Sequence, residues 1–560
     1  MKTAVNLLFL CLNIMLIVVC CQKIQPSESH NKNLTPPRTA EPPPPPPPII
    51  EEVPEENIII EAEFYDQVLE SKKKPEWATE PSTEPTWGKT YDQIVENNFQ
   101  SPLKQPYSTF SIDVDRASYS NVRRFLMDGM KPPANAVRIE EMINYFDYDY
   151  PQPKGETPFS INTEVAQCPW NSQHQLVHIG LQGRDILKDN LPPNNLVFLL
   201  DVSGSMEDYN KLPLLKKAFK MLVKQLRPQD RVAIVVYAGA SGLVLPSTSG
   251  AQKRSIILAL DQLQSGGSTG GAAGIQLAYK VARQHFQRGG NNRVILATDG
   301  DFNVGPHSDE ELVHMIEQKR EQGISLSILG FGTGNYQDAK MEKLADNGNG
   351  NYSYIDNIAE AHKVLVREFS STLFTIAKDV KLQIEFNPNQ VKGYRLIGYE
   401  NRLLADEDFN NDQKDAGELG AGHTVTALYE IIPAGSNETL TASVDPLKYQ
   451  KEQVQVQLTN NDELMTIKMR YKAPKEDRSK KIEKVLTKSK TSWQRSSNNF
   501  RFSAAVAGFG MLLRHSKYKG QMTYPQLLEL ARSAKGEDRM GYRSEFLRLI
   551  ELADTYNSEF

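Results

Sequence analysis

Two short runs of uninterrupted apolar residues, LVFLL at 196–200 and VILA at 294–297, constrain this chain more than any other feature. A strand with one wet face alternates apolar and polar side chains, so a strand without polar breaks has to be covered on both faces. Around those runs the period turns helical. Residues 214–226 place Leu215, Phe219, Leu222 and Leu226 on one stripe, and amphipathic helices are predicted again at 255–263, 275–286 and 308–322, the last opened by a capping box at Ser308. Strands are predicted at 231–237, 326–331 and 352–355. Short buried strands separated by helices predict an α/β domain over residues 193–376, a doubly wound parallel sheet with helices on both faces.

Outside that domain the pattern changes to alternation. Residues 157–190, 380–386, 394–399, 425–432 and 464–471 read as half-buried strands, which predicts a β-sandwich built from 156–192 plus 377–474 with the α/β domain inserted in it. Ahead of it, a strand at 108–115 and helices at 118–130 and 137–146 make a small N-terminal module, 93–155, the first helix ending at Pro132-Pro133. Residues 475–560 read as a helical C-terminal domain, with Phe502, Val506, Phe509 and Leu513 along one stripe.

The N-terminus reads as an export segment. Lys2 precedes an apolar stretch at 4–19 that Cys20, Cys21, Gln22 and Lys23 cut off, so residues 1–20 have the build of a signal peptide. The end of the stretch resembles a bacterial lipoprotein signal, which implies lipidation at Cys21. Residues 21–92 follow as a tether, with a proline run at 42–48 that favours an extended polyproline II rod. Of four cysteines, Cys11 and Cys20 leave with the signal and Cys21 carries lipid, so Cys168 is alone in the folded chain. That excludes an intramolecular disulfide and a cysteine-type zinc cluster. With 64 basic and 69 acidic residues the net charge is -5, which argues against a chain built to coat nucleic acid.

Open parallel sheets carry their ligand sites at the carboxyl ends of the strands. Asp201, Ser203 and Ser205 directly follow the strand ending at Leu200, and Asp299 follows the strand ending near Thr298. The glycine-rich loop 266–271 brings Thr269 to the start of a helix. Two carboxylates and three hydroxyls at one rim are hard oxygen donors that suit an octahedral divalent cation, Mg²⁺ first and Mn²⁺ or Ca²⁺ next.

This order and spacing resemble the metal-ion-dependent adhesion site of von Willebrand factor type A (VWA) domains. The resemblance implies that Ser203, Ser205 and Thr269 contact the metal, that Asp201 and Asp299 hold it directly or through water, and that an acidic residue of a partner protein completes the shell. The segments STFSIDVDRASY at 108–119 with RIEEMINYF at 138–146, TDGDFNVG at 298–305, YRLIGYENR at 394–402 and FRFSAAVAGFG at 500–510 are similar to those of a bacterial envelope family of VWA lipoproteins. The expected function is therefore a membrane-anchored, divalent-metal-dependent adhesion or scaffold protein of the cell envelope. The competing class is an accessory VWA subunit of an ATPase-chaperone or metal-insertion system, which requires a separate nucleotide-binding partner.

Enzymatic readings fare poorly. Residues 266–270 satisfy G-x-S-x-G, but a nucleophile elbow needs a strand before it and 255–263 reads as helix. Gly88-Lys89-Thr90 lacks the upstream glycine of a P-loop. His174 and His178 have zinc-pair spacing in a strand-like context, where a structural role is expected. The acidic loop 406–418 breaks the EF-hand pattern, with Asn411 at the glycine position and Gly417 at the closing glutamate. A solvated turn and a second calcium site are its two readings.

Overall fold

A computed structural model describes residues 91–267, 271–300, 309–332, 337–368, 374–414, 416–440 and 462–558. The signal, Cys21, the tether up to residue 90, Thr269 and the capping serine Ser308 lie outside the described residues.

In chain order the first elements are β1 (Tyr107–Ser111), α1 (Ala117–Met127), α2 (Ile139–Asn144), β2 (Phe159–Gln167) and β3 (Gln175–Gly183). The α/β region follows with β4 (Asn194–Asp201), α3 (Leu212–Gln225), β5 (Arg231–Tyr237), β6 (Ser241–Ser249), α4 (Lys253–Asp261) and α5 (Gly271–Gln284). It continues with β7 (Asn291–Thr298), α6 (Asp309–Glu321), β8 (Ser325–Phe331), α7 (Asp338–Asn347), β9 (Tyr352–Ile355) and α8 (Ile358–His362). Then come β10 (Thr375–Phe386), β11 (Val391–Ile397), β12 (Gly417–Gly420), β13 (Thr424–Pro433), β14 (Glu463–Lys472) and β15 (Lys480–Thr487). Three helices end the chain: α9 (Asn498–Leu513), α10 (Tyr524–Ser533) and α11 (Tyr542–Ser558).

The α/β sheet runs β6-β5-β4-β7-β8-β9, parallel throughout except for β6. Successive residues of β4 point to opposite faces. Leu196, Phe198 and Leu200 pack with Leu215, Phe219 and Leu222 of α3 and Leu260 of α4, while Val197 and Leu199 pack with Ile275 and Tyr279 of α5 and Met341 of α7. Neither face is left for water, which is why the run carries no polar residue. The antiparallel edge strand β6 was not expected. It bears Pro246, which only an edge strand tolerates because proline donates nothing to a ladder.

Two further sheets form the sandwich. One runs β11-β13-β3-β2 and the other β1-β10-β14-β15, with β12 also paired to β10. Phe110, Ile384, Phe386, Tyr394, Tyr429 and Ile467 share one core, and the rings of Phe386 and Tyr394 stack with centroids 3.8 Å apart. Strands β4 to β9 lie in sequence between β3 and β10, so the α/β domain is inserted in the sandwich chain.

Two boundaries differ from the sequence reading. The stretch 93–155 does not close on itself, because β1 is an edge strand on β10 and Tyr119, Val122, Met142 and Phe146 share a core with Phe502, Phe509 and Phe546 of the C-terminal helices. The sheet extends past residue 474, since β15 pairs with β14. Its exposed, lysine-rich alternation protects an edge and hides a strand. The C-terminal helical run is three helices, and positive-φ glycines stand at the breaks, Gly520 at φ 54° and Gly536 and Gly541 at 59° and 79°.

Candidate metal centre

The rim is assembled from residues that end or directly follow strands. Asp201 is the last residue of β4 and fully buried, Asp299 follows Thr298 at the end of β7 and is 4% exposed, and Tyr237 closes β5. Ser203 is buried, and Ser205 lies exposed in a 3-10 turn at Gly204–Glu207. Met206 anchors that turn in the core at 0% exposure. Backbone bonds fix the loop from both sides, Val202 N to Tyr237 O at 3.0 Å, Gly204 N to Gly267 O at 3.0 Å and Gly266 N to Val202 O at 2.8 Å.

Both oxygens of Asp201 are committed. Oδ1 accepts from Ser203 N at 2.9 Å and Ser203 Oγ at 2.6 Å, and Oδ2 accepts from Tyr237 OH at 3.0 Å and Thr298 Oγ1 at 3.2 Å. Burial raises the Asp201 carboxyl above its ordinary range and the charge of Asp299 adds to this, whereas the Ser203 and Tyr237 bonds oppose it. Burial, then the charge of Asp201, pushes the Tyr237 phenol well up, so it remains a donor.

With its proton directed at Asp201, Ser203 Oγ keeps its lone pairs for another ligand, and Ser205 Oγ stands 3.0 Å from it. Neighbouring donors on an octahedral Mg²⁺ at about 2.0–2.1 Å stand about 3.0 Å from each other. The donor set, hydroxyl and carboxylate oxygen without thiolate or imidazole, therefore fits a hard divalent cation. The structure brings Asp201, Ser203, Ser205 and Asp299 to one rim, and Thr269 lies outside the described residues.

Sequence reasoning missed three members of this set. Tyr237 and Thr298 directly follow the apolar runs VAIVV at 232–236 and VILA at 294–297, a signal available in the sequence. Lys211 is the third. Its Nζ donates to Asp299 Oδ2 at 3.0 Å and to the Ser205 carbonyl at 2.9 Å.

The other motifs separate. Residues 266–267 follow α4 with no intervening strand, so the nucleophile-elbow context is missing. His174 is held between Glu430 and Glu438, at 2.6 Å each, whereas His178 Nε2 meets Tyr150 OH at 2.8 Å. In the 406–418 loop, Lys381 Nζ donates to the carbonyls of Asp408 and Asn411 at 3.1 and 2.6 Å, and Ser479 donates to Asp412 at 2.6 Å. A lysine thus takes carbonyls that a calcium ion would use. Asp115, Glu141 and Glu342 bring carboxylate oxygens within 4.8 Å of one another. Arg402 bonds Asp115 and Glu342 at 3.1 Å each, Tyr352 N bonds Asp115 at 2.9 Å, and Ser118 N bonds Glu141 at 2.8 Å. That cluster ties the N-terminal helices to α7.

A sheet covered on both faces with this loop at its carboxyl edge defines a von Willebrand factor type A domain, and the family model of that domain matches residues 195–367. Further models match 86–178, described as von Willebrand factor, and 371–556, described as the C-terminal part of uncharacterized protein YfbK. VWA-domain proteins are commonly metal-dependent adhesion or scaffold proteins, and such domains often bind a divalent metal.

The chain belongs to the family of the Escherichia coli (strain K12) protein described as uncharacterized protein YfbK. It is 46% identical to that protein over 471 residues, 83% of this chain and 81% of the relative. It is 24% identical over 259 residues to human inter-alpha-trypsin inhibitor heavy chain H3, covering 43% of this chain and 28% of that one. A solved structure of von Willebrand factor type A from Catenulispora acidiphila aligns over 82% of this chain and 91% of its own, at 14% identity and a TM-score of 0.37.

Proposed function

We propose that this is a lipid-anchored protein of the bacterial cell envelope that captures an acidic residue of a partner protein through a divalent cation, Mg²⁺ in the first place, and that it is not an enzyme. The observation that carries the reading is the pair of serine hydroxyls 3.0 Å apart beside two carboxylates, with Ser205 exposed at the rim. Ser203 and Ser205, with Thr269, would hold the metal; Asp201 and Asp299 would balance its charge. A bound cation would supply an open coordination position for a partner carboxylate. Asp201 fixes the Ser203 hydroxyl, and the backbone bonds to Tyr237 and Gly267 hold the loop in place. Lipidation at Cys21 and the proline-rich tether would set the domain away from the membrane surface.

The test is a pull-down from detergent-solubilised envelope with the full chain, in Mg²⁺, in EDTA, and with Asp201→Ala. A partner captured in Mg²⁺ and lost in both other arms supports the proposal. A partner retained in all three places recognition elsewhere on the protein and overturns it.

A further inference from the structure

Lys211 is built into the rim. It immediately precedes α3, its side chain is 9% exposed, and its Nζ reaches Asp299 Oδ2 at 3.0 Å, the Ser205 carbonyl at 2.9 Å and Asp208 Oδ2 at 3.7 Å. The stem runs along Gly332, directly after β8. A Cβ at residue 332 would lie 2.5 Å from Lys211 Cε and 2.7 Å from its Cγ, and the glycine has φ +77°. A side chain at 332 would occupy the path of the lysine, so the backbone there both requires glycine and leaves room for the ammonium.

We infer that Lys211 sets the charge of the metal centre and thereby makes a carboxylate, rather than a neutral amide or carbonyl, the preferred ligand at the open coordination position. This rests on the metal-site reading above. The argument is electrostatic. Asp201 and Asp299, both ionised, would cancel the two charges of a divalent cation and leave little pull on a third carboxylate. Asp208 is 70% exposed and screened by solvent, whereas Lys211 holds one buried Asp299 oxygen and offsets its charge, so that metal, two carboxylates and ammonium together are left with a net charge of about +1. An acidic side chain is attracted to such a centre, and a neutral group gains much less. The same ammonium opposes the arriving metal. Lys211 therefore trades metal affinity for carboxylate selectivity, and its removal moves the two affinities in opposite directions. A lysine that merely shaped the loop would, when removed, weaken both.

The test uses the full chain, with Lys211→Met, Lys211→Gln and Lys211→Arg beside the wild type. Mn²⁺ is the metal, titrated by calorimetry. Acetate is the ligand probe, followed by the fall in water-proton relaxivity as it displaces water from bound Mn²⁺; acetamide is the neutral control. Circular dichroism in EDTA checks that each variant folds, and the glutamine variant carries the comparison if the methionine one does not. In Lys211→Met, Mn²⁺ is expected to bind about tenfold tighter and acetate about tenfold more weakly, with acetamide unchanged. Lys211→Arg keeps the charge and should hold both affinities within about threefold of the wild type. Mn²⁺ binding that is unchanged or weakened in the methionine and glutamine variants, or acetate binding that does not weaken in them, overturns the inference. A wild type that binds no Mn²⁺ overturns the metal-site reading itself, and this inference with it.

Discussion

The Tyr237 hydroxyl donates to Asp201 Oδ2 at 3.0 Å across the ends of two neighbouring parallel strands, β5 and β4. Both residues are fully buried. Tyr237→Phe leaves that oxygen with the longer bond from Thr298 alone, at 3.2 Å. The expected outcome is a loss of about 1.5–3 kcal/mol in urea denaturation, because the bond is to a charged group. Mn²⁺ affinity should fall by about 10- to 100-fold, as when other partners that orient metal ligands are removed. Tyr279→Phe is the matched control. Among the described residues that hydroxyl is buried with no hydrogen-bond partner, so its removal should leave stability unchanged or slightly raised, and should leave metal binding unchanged. Equal losses in the two variants would rule out a special role for Tyr237.

The sequence made the α/β domain and most of its rim legible because burial on both faces is written directly into β4 and β7, and because Asp201, Ser203, Ser205 and Asp299 follow strand ends. Lys211 was not legible. It lies close in sequence to the turn at Gly204–Glu207, but its partner Asp299 and the glycine after β8 that its stem follows are remote in sequence. The first helices read as a module of their own for a similar reason: Phe146 meets Phe502 and Phe546 at centroid distances of 4.9 and 5.5 Å, contacts between residues far apart in the sequence. β15 escaped notice because an edge strand whose pattern is exposed and charged looks like a linker.

Arg123 joins three parts of the molecule. From α1 it reaches Glu360 of α8 at 2.8 Å, Glu545 of α11 at 3.0 Å and Asp356 after β9, and it donates to Tyr145 OH at 3.0 Å. Its side chain is 3% exposed, as is that of Glu360. Arg123→Ala would leave buried carboxylates without a counter-charge, and a loss of about 3–5 kcal/mol is expected. Adding Glu360→Gln should recover part of that loss, since it removes one of the stranded charges. A double variant no more stable than Arg123→Ala in thermal or urea unfolding would contradict this account.

Arg293 presents the opposite case. It lies in β7 at 3% exposure and donates through Nη1 to Ser327 Oγ at 2.6 Å, while its Nε has no hydrogen-bond partner among the described residues. Burial lowers its guanidinium to about 10, with Glu418 opposing. Among the described residues it makes no ion pair, so its charge is held at a cost. Arg293→Met keeps the stem and removes the charge, and a gain of about 1 kcal/mol is expected. Ser327 Oγ still accepts from Asn351 N at 3.4 Å. A loss above about 2 kcal/mol would mean that the guanidinium has a partner it needs.

His178 should make the fold sensitive to acid. The ring is buried, its Nε2 meets Tyr150 OH at 2.8 Å, and Tyr150 OH in turn meets Thr426 Oγ1 at 2.7 Å. Burial lowers the imidazole from 6.5 to about 4. Between those values the unfolded chain takes up a proton at this residue and the folded chain does not, so the unfolded state gains as pH falls. The contribution is fully present above pH 6.5 and is lost on the way down to about 4, a span worth roughly 3 kcal/mol. Buried carboxyls act in the other direction: Glu140 is raised to about 7, which favours the folded state as pH falls. The raw pH profile therefore mixes both, and the contribution of His178 is read as the difference between the wild type and His178→Gln. Relative to that variant, the wild type is expected to lose stability steadily from pH 7 to pH 4.5 in urea denaturation. A difference that stays flat across this range would mean that His178 is protonated in the folded protein or that Tyr150 does not enforce its neutral form.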